Sequence, residues 1–317
     1  MSNVCLYHGV DLDGFCGGAI YAKYMEKEGL EHELIPANYG WDLPWEKFQD
    51  AHVTMIDFSM QPWREFDRLM RLAKHVVWLD HHKSAIREYE QNEAHPEWGT
   101  LSTKLDVTKA GCELAWEYYF EDQAMPQAVR LIGRYDVWDH ADDDVLPFQY
   151  GMRLYDLDPA DNWSKWADYL DGDISPEVCC PRIQEGHTVL RYQTREDTIA
   201  AAAACFAIDW EGLHWLAANR GGRGSKFFDS KWDYEHFDGM MSFSWNGETW
   251  TFGLYSTNPD IDCGAIAKRW NGGGHPGAAG FRTATLPFDI LDSAKLTRGG
   301  TATKPIVVVA EKEEPKP

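Results

Sequence analysis

Over the first 140 residues, short apolar runs alternate with stretches of helical periodicity. Val4–Tyr7, Val53–Asp57 (VTMID) and Val76–Asp80 (VVWLD) read as buried strands, and Leu34–Pro36 as a weaker one. Phe15–Glu28 has the pattern of a following helix. Pro62 opens another, running to about Ala73, and Thr108 is a suitable N-cap for a helix over Ala110–Phe120. Strands alternating with helices predict an α/β fold with a doubly wound, mainly parallel sheet. In such sheets ligands bind at the C-terminal ends of the strands.

The second half has a different texture. A helix starts near Pro181 and runs to about Ala204, followed by strand-like stretches at 213–218, 239–245 and 249–255, with a hairpin signal at Asn246-Gly247. A helix over 262–270 then leads into the glycine-rich string NGGGHPGAAGF at 271–281. These patterns predict a domain over 1–150, a connecting region over 151–185 and a smaller α+β domain over 186–292. The remaining 293–317 form a tail expected to be flexible, with one apolar run at Ile306–Ala310.

Composition narrows the function. The 317 residues carry 51 acids and 30 bases, a formal net charge of −21. Such a chain does not coat long nucleic acid through a broad basic surface, because that binding runs on counterions released at many phosphate contacts. A small phosphorylated substrate, held at a few points, remains compatible. One basic island, 219–231 (NRGGRGSKFFDSK), interrupts the acidity with four bases and one acid. The longest apolar run, Ile199–Ile208, has 10 residues, against about 20 for a membrane span. No secretory signal is visible, and the seven cysteines form no CxxC pairs. Both features predict a reduced, cytoplasmic protein without a cysteine-type zinc site or a disulfide scaffold.

The candidate chemistry sits at strand ends. The first strand is followed by His8, Asp11 and Asp13 in HGVDLDG, the second by Asp57 in IDFS, and the third by Asp80-His81-His82 in WLDHH. One such carboxylate could simply cap the next helix. Three strand ends that all carry Asp or His point instead to metal ligation by carboxylate and imidazole, a set suited to Mn²⁺, Mg²⁺ or zinc. So many ligand-type residues imply two ions, which together can activate water and clamp a phosphoryl group.

These strings, with GRYDVWDH further on, resemble the four motifs of the DHH phosphoesterase superfamily. NGGGHPGAAGF resembles the glycine-rich motif of its DHH-associated C-terminal domain. All five occur in the family's order and together span residues 4 to 290. The resemblance implies an active site in the cleft between the two domains and two Mn²⁺ ions, with Mg²⁺ or Co²⁺ as substitutes. His8, Asp11 and Asp57 would hold one ion. Asp13, Asp57, His81 and Asp136 would hold the other. His82 would face the substrate phosphate and Asp80 would orient a neighbouring histidine, with direct ligation by Asp80 as the alternative. One departure is that two residues, Gly9 and Val10, separate His8 from Asp11, where many relatives have three.

In the second domain, Gly272–Gly274 are expected to form a flexible loop. The backbone of Gly273 and Gly274, with His275, would contact a phosphate or ribose oxygen. Related sequences often carry an arginine before the serine of the preceding strand, where this chain has Tyr255-Ser256. Ser256 is kept as a substrate contact. Arg220, Arg223 and Lys226 of the basic island are candidate replacement cations, the alternative being an exposed hairpin tip. The aromatics Trp245, Trp250, Phe252 and Tyr255 read mostly as core.

The resulting expectation is a manganese-dependent phosphoesterase that hydrolyses phosphodiester bonds of short oligonucleotides or dinucleotides. The alternatives are a phosphatase of a bisphosphorylated nucleotide, a RecJ-like single-strand exonuclease and a non-catalytic nucleotide sensor. The expected partner is a short single-stranded substrate, with neither long duplex nor membrane; a homodimer is left open.

Overall fold

The computed structural model describes residues 2–92, 98–172 and 175–288. The predicted apolar run at 306–310 and the rest of the tail lie outside the described residues. The chain divides into two compact units, Met1–Leu190 and Arg191–Pro317.

The first unit is built on five parallel strands: β1 (Asn3–His8), β2 (Glu33–Ala37), β3 (His52–Ile56), β4 (His75–Asp80) and β5 (Thr100–Leu105). Their order is β2-β1-β3-β4-β5, so the direction of winding reverses between β1 and β3. That reversal opens a crevice at the carboxyl ends of these two strands. Tyr7 pairs in register with Ile56, and Ile56 with Leu79. The residues that follow, His8, Asp57 and Asp80, therefore come level on three neighbouring strands.

Helices cover both faces of the sheet. They are α1 (Leu12–Lys27), α2 (Trp63–Leu72), α3 (Lys83–Glu90), α4 (Gly111–Tyr119), α5 (Gln127–Asp136), α6 (Val145–Met152), α7 (Pro159–Asn162) and α8 (Ser175–Ala204), the last straddling the division between units in sequence. One face buries Cys5, Tyr7, Ile20, Trp116, Leu131 and Phe148. The other buries Leu6, Met55, Phe66, Leu69 and Trp78. Strands buried on both faces explain the continuous apolar runs in the sequence.

Three local expectations change. The helix cap is Ala110 and not Thr108, whose backbone N–H and hydroxyl both donate to Asp106 (2.9 and 2.6 Å) in a local turn. The polar edge strand β5 was not predicted, because TLSTKL carries almost no apolar signal. The segment expected as a connection, 151–185, is part of the first unit's core. Trp166, Leu170 and Cys179 are fully buried there, and Gly151 and Gly186 let α6 and α8 approach closely: a Cβ on Gly186 would lie 1.7 Å from the Pro147 carbonyl oxygen.

The second unit is a six-stranded sheet, order β10-β11-β9-β8-β7-β6. Its strands are β6 (Cys205–Trp210), β7 (Leu213–Asn219), β8 (Gly239–Trp245), β9 (Trp250–Tyr255), β10 (Gly273–His275) and β11 (Ala278–Thr283), with α9 (Cys263–Arg269) against it. Only β7 and β8 pair in parallel; the rest are antiparallel. Trp215, Phe243, Phe252 and Phe281 form its core. No described helix is long and apolar enough to cross a membrane.

Candidate metal centre

Four stretches of chain converge at the carboxyl ends of β1, β3 and β4. His8 closes β1, and Asp11 caps α1 by accepting from the Gly14 N–H (3.0 Å). Gly14 is required here, since a Cβ would come within 2.0 Å of the His8 carbonyl oxygen. Asp13 lies in the first turn of α1. Asp57 follows β3 with φ of +54°, a left-handed backbone that a non-glycine residue adopts only under constraint. His81 and His82 follow β4, and Asp136 is the last residue of α5.

The side chains assigned by resemblance to one ion gather around Asp57: His8 Nδ1 lies 2.7 Å from Asp11 Oδ2 and 3.4 Å from Asp57 Oδ2. Those assigned to the other gather around His81, whose Nε2 lies 3.1 Å from Asp57 Oδ1, 3.2 Å from Asp136 Oδ2 and 3.9 Å from Asp13 Oδ2. Within each of the groups His8/Asp11/Asp57 and Asp13/His81/Asp136, one donor atom per residue falls within 4.8 Å of the others.

The donor set fits cations. His8 Nδ1 is buried and has no aligned hydrogen-bond partner, although two carboxylates lie beside it. Carboxylates crowd together with little solvent to separate them. Burial, reinforced by the charges of Asp57 and Asp136, raises Asp13 well above the usual carboxylate range. Burial and Asp57 lift Asp136 to about 7. Asp57 itself is held below that range: burial opposes its charge, but His8 and His81 outweigh it. Burial likewise works against protonated His8 and His81, and the carboxylates overcome it, raising them to about 11 and about 10. Divalent cations seated among these groups would take over the role of the protons, and mixed carboxylate–imidazole donors suit Mn²⁺, Mg²⁺ or zinc.

A third group, Asp57, Asp80, His81 and His82, also brings one donor atom per residue within 4.8 Å, and in it Asp80 is tied to the local chain. It is fully buried, and its Oδ1 accepts from the backbone N–H of His81 (2.7 Å) and of His82 (3.0 Å) and lies 2.7 Å from His82 Nδ1. Its Oδ2 accepts from Trp78 Nε1 (3.1 Å). These contacts turn the His81–His82 corner and fix the His82 ring, the outer-sphere arrangement that commonly orients imidazoles at metal sites. Asp80 is held below its usual range, with His82 outweighing burial.

The backbone of Gly111 and Cys112 contributes to the site with no sequence signature. Asp13 accepts from the backbone N–H groups of Gly111 (2.7 Å) and Cys112 (2.8 Å), which begin α4 about a hundred residues away. The helix start favours a negative charge there. Gly111 also lies against Asp57: a Cβ on it would fall 2.5 Å from Asp57 Cβ.

In the second unit the glycine-rich string is not a loop. It forms the β10–β11 hairpin, closed by Pro276-Gly277, with Gly273 opposite Gly280 and His275 opposite Ala278. Gly272 and Gly274 are required by packing, since their Cβ atoms would collide with Gly280 and Ala279 respectively. A Cβ on Gly273 would meet nothing within 4 Å. Ser256 is buried, and its hydroxyl donates to the Asp238 carbonyl (2.7 Å) and accepts from the Asn258 N–H (3.1 Å), a structural use. The basic island joins β7 to β8, which pair in parallel, so it is a crossover and not a hairpin tip; Phe227 and Phe228 anchor it while Arg220 is exposed. Arg223 pairs with buried Asp197 and Lys226 with Asp229. Arg220 lies over the Phe227 ring at 5.6 Å.

Comparisons with known proteins agree with this architecture. No protein-family model matches the chain. A protein of Acanthamoeba polyphaga mimivirus, itself uncharacterized, is 24% identical over 331 residues, 93% of this chain and 71% of that protein. Among solved structures, the pGpG-specific phosphodiesterase PggH of Vibrio cholerae gives a TM-score of 0.50 at 12% identity, covering 89% of this chain and 93% of that one. An exopolyphosphatase-related protein of Bacteroides fragilis gives 0.53 at 11% identity, over 90% and 87%. The chain shares the fold of these two proteins, in keeping with the fold that the resemblance to the DHH phosphoesterases implies.

Proposed function

We propose that the protein is a metal-dependent phosphoesterase that hydrolyses phosphodiester bonds of dinucleotides or short oligonucleotides at a two-manganese centre. The observation that carries this reading is the pair of donor groups sharing Asp57 at the crevice between β1 and β3. A similar fold in a pGpG-specific phosphodiesterase supports a nucleotide diester as the substrate.

In this reading His8, Asp11 and Asp57 hold one ion, and Asp13, Asp57, His81 and Asp136 hold the other. Bound ions would supply Lewis-acid polarisation of the phosphoryl group and an activated water. The remaining steps belong to the chain. Asp57 and Gly111 fix the spacing of the two donor groups. Asp80 locks the His82 ring, and His82 hydrogen-bonds a phosphate oxygen as charge develops on it. The Gly273–His275 strand offers a backbone that a phosphate or sugar can approach without meeting a side chain at Gly273.

The test is a substrate panel with Mn²⁺, resolved by product: diribonucleotides, short oligonucleotides, a cyclic dinucleotide, a bisphosphorylated adenosine and pyrophosphate. Cleavage of linear dinucleotides to mononucleotides is expected. Hydrolysis of the monoester or pyrophosphate alone would overturn the diester assignment. Tight nucleotide binding without hydrolysis would overturn the enzyme.

A further inference from the structure

The end of α5 holds a residue that the fold itself does not call for. The helix finishes at Asp136 with paired closing bonds: the Asp139 N–H donates to the Arg134 carbonyl (2.8 Å) and the Trp138 N–H to the Tyr135 carbonyl (3.1 Å). This is a Schellman closure, and it puts Trp138 in the left-handed position that ordinarily takes glycine. Its φ is +63°. Burial does not explain the choice either, because Trp138 is 51% exposed. Local backbone strain at an exposed aromatic is characteristic of functional positions.

Its surroundings form a stacking surface. The His140 ring lies 5.8 Å from Trp138 at 27° and 5.3 Å from Tyr135 at 25°, so the three rings form one ladder. The Arg153 guanidinium adds to it, 5.0 Å from the Tyr135 ring. The Arg134 side chain holds the turn, donating to Asp139 (2.9 Å). Trp138 is two residues beyond Asp136, so their Cα atoms are at most about 7 Å apart.

We propose that Trp138 is a base-stacking residue: it receives the nucleobase next to the scissile phosphate, on the outer end of the Tyr135–His140–Trp138 ladder. Resting on the phosphoesterase reading above, it narrows the substrate class to base-bearing nucleotides. Aromatic faces bind any base by stacking, so the site selects for a base and not for a particular sequence.

The test compares wild type, Trp138→Gly and Trp138→Phe. The glycine variant suits the left-handed backbone, so it folds; the phenylalanine variant keeps a ring. The first readout is equilibrium binding of GMP against ribose 5-phosphate to the manganese-loaded protein. Wild type is expected to prefer GMP, and Trp138→Gly to lose about 5- to 150-fold of that preference, the range measured for stacking one base. Trp138→Phe is expected to retain most of it. The second readout is the ratio of kcat/KM for a dinucleotide to that for its abasic analogue, which should fall by a similar factor in Trp138→Gly. An undiminished GMP preference in Trp138→Gly overturns the stacking role, as does equal weakening of ribose 5-phosphate. If wild type cleaves neither substrate, the phosphoesterase reading fails, and the binding comparison still decides the stacking role.

Discussion

Gly111→Ala probes how α4 is tied to the proposed centre. The added Cβ would lie 2.5 Å from Asp57 Cβ and 2.9 Å from Asp57 Cα, against about 3.5–4.0 Å for relaxed carbon contacts. The obstacle includes backbone that already sits at φ +54°, so no side-chain rotation relieves it. The first turn of α4 and Asp57 must separate by roughly 1 Å to restore contact. The same movement stretches the 2.7 and 2.8 Å bonds that Asp13 accepts from Gly111 and Cys112. Overpacking of this kind costs about 1–3 kcal/mol, and disturbing the supports of metal ligands typically weakens metal binding about 10–100-fold. Denaturant unfolding in EDTA reads the first effect, and calorimetric titration with Mn²⁺ the second. Wild-type behaviour in both would refute the close approach. A destabilised variant with undiminished Mn²⁺ affinity would refute the coupling of α4 to the ligands.

Three further outcomes are expected. Asp57→Asn keeps a residue that tolerates the left-handed backbone but removes the shared carboxylate; it should stay folded by circular dichroism and lose more than about 100-fold in kcat/KM, beyond the cost of an outer-sphere change. His275→Ala should raise KM for a dinucleotide by about 10-fold or more, the worth of one hydrogen bond to a charged group, with bound metal unchanged by elemental analysis; loss of metal would contradict the placement of the hairpin motif. Glu113 caps α4 by accepting from the Ala110 N–H (3.0 Å), and burial raises its pKa above 4.5. Its folded state therefore holds a proton more tightly than its unfolded state, and this group's contribution to stability falls as pH rises from 4.5 through the raised value. Glu113→Gln keeps an acceptor and removes the half-buried charge, so urea unfolding should show it gaining on wild type at pH 7 relative to pH 4.

The parts legible in the sequence were those written in local pattern. Apolar runs buried on both faces marked β1, β3 and β4, and polar residues clustered just past them marked the crevice. Other features depend on contacts distant in sequence. Asp13 looks like a ligand or a helix-start acid, and nothing near it reveals that it also accepts from the start of α4. Gly111 in KAGCE reads as an ordinary glycine until Asp57 is placed against it. The edge strand β5 and the segment 151–185 were missed for opposite reasons: β5 is too polar to read as a strand, and the other has prolines and acids that conceal buried Trp166 and Leu170. The β10–β11 hairpin was masked because its glycines are selected for strand-to-strand closeness and carry no hydrophobic period. Trp138 followed a ligand motif, and its left-handed backbone is visible only in three dimensions.

The proposed sharing of Asp57 between two cation sites is most directly tested by counting bound metal. Purified protein, stripped with chelator and dialysed to equilibrium against Mn²⁺, is assayed for manganese per chain by elemental analysis, beside Asp57→Asn. Two manganese per wild-type chain are expected, with binding at both sites impaired in the variant. One or none in wild type, or two retained in Asp57→Asn, would contradict a two-metal centre built on Asp57.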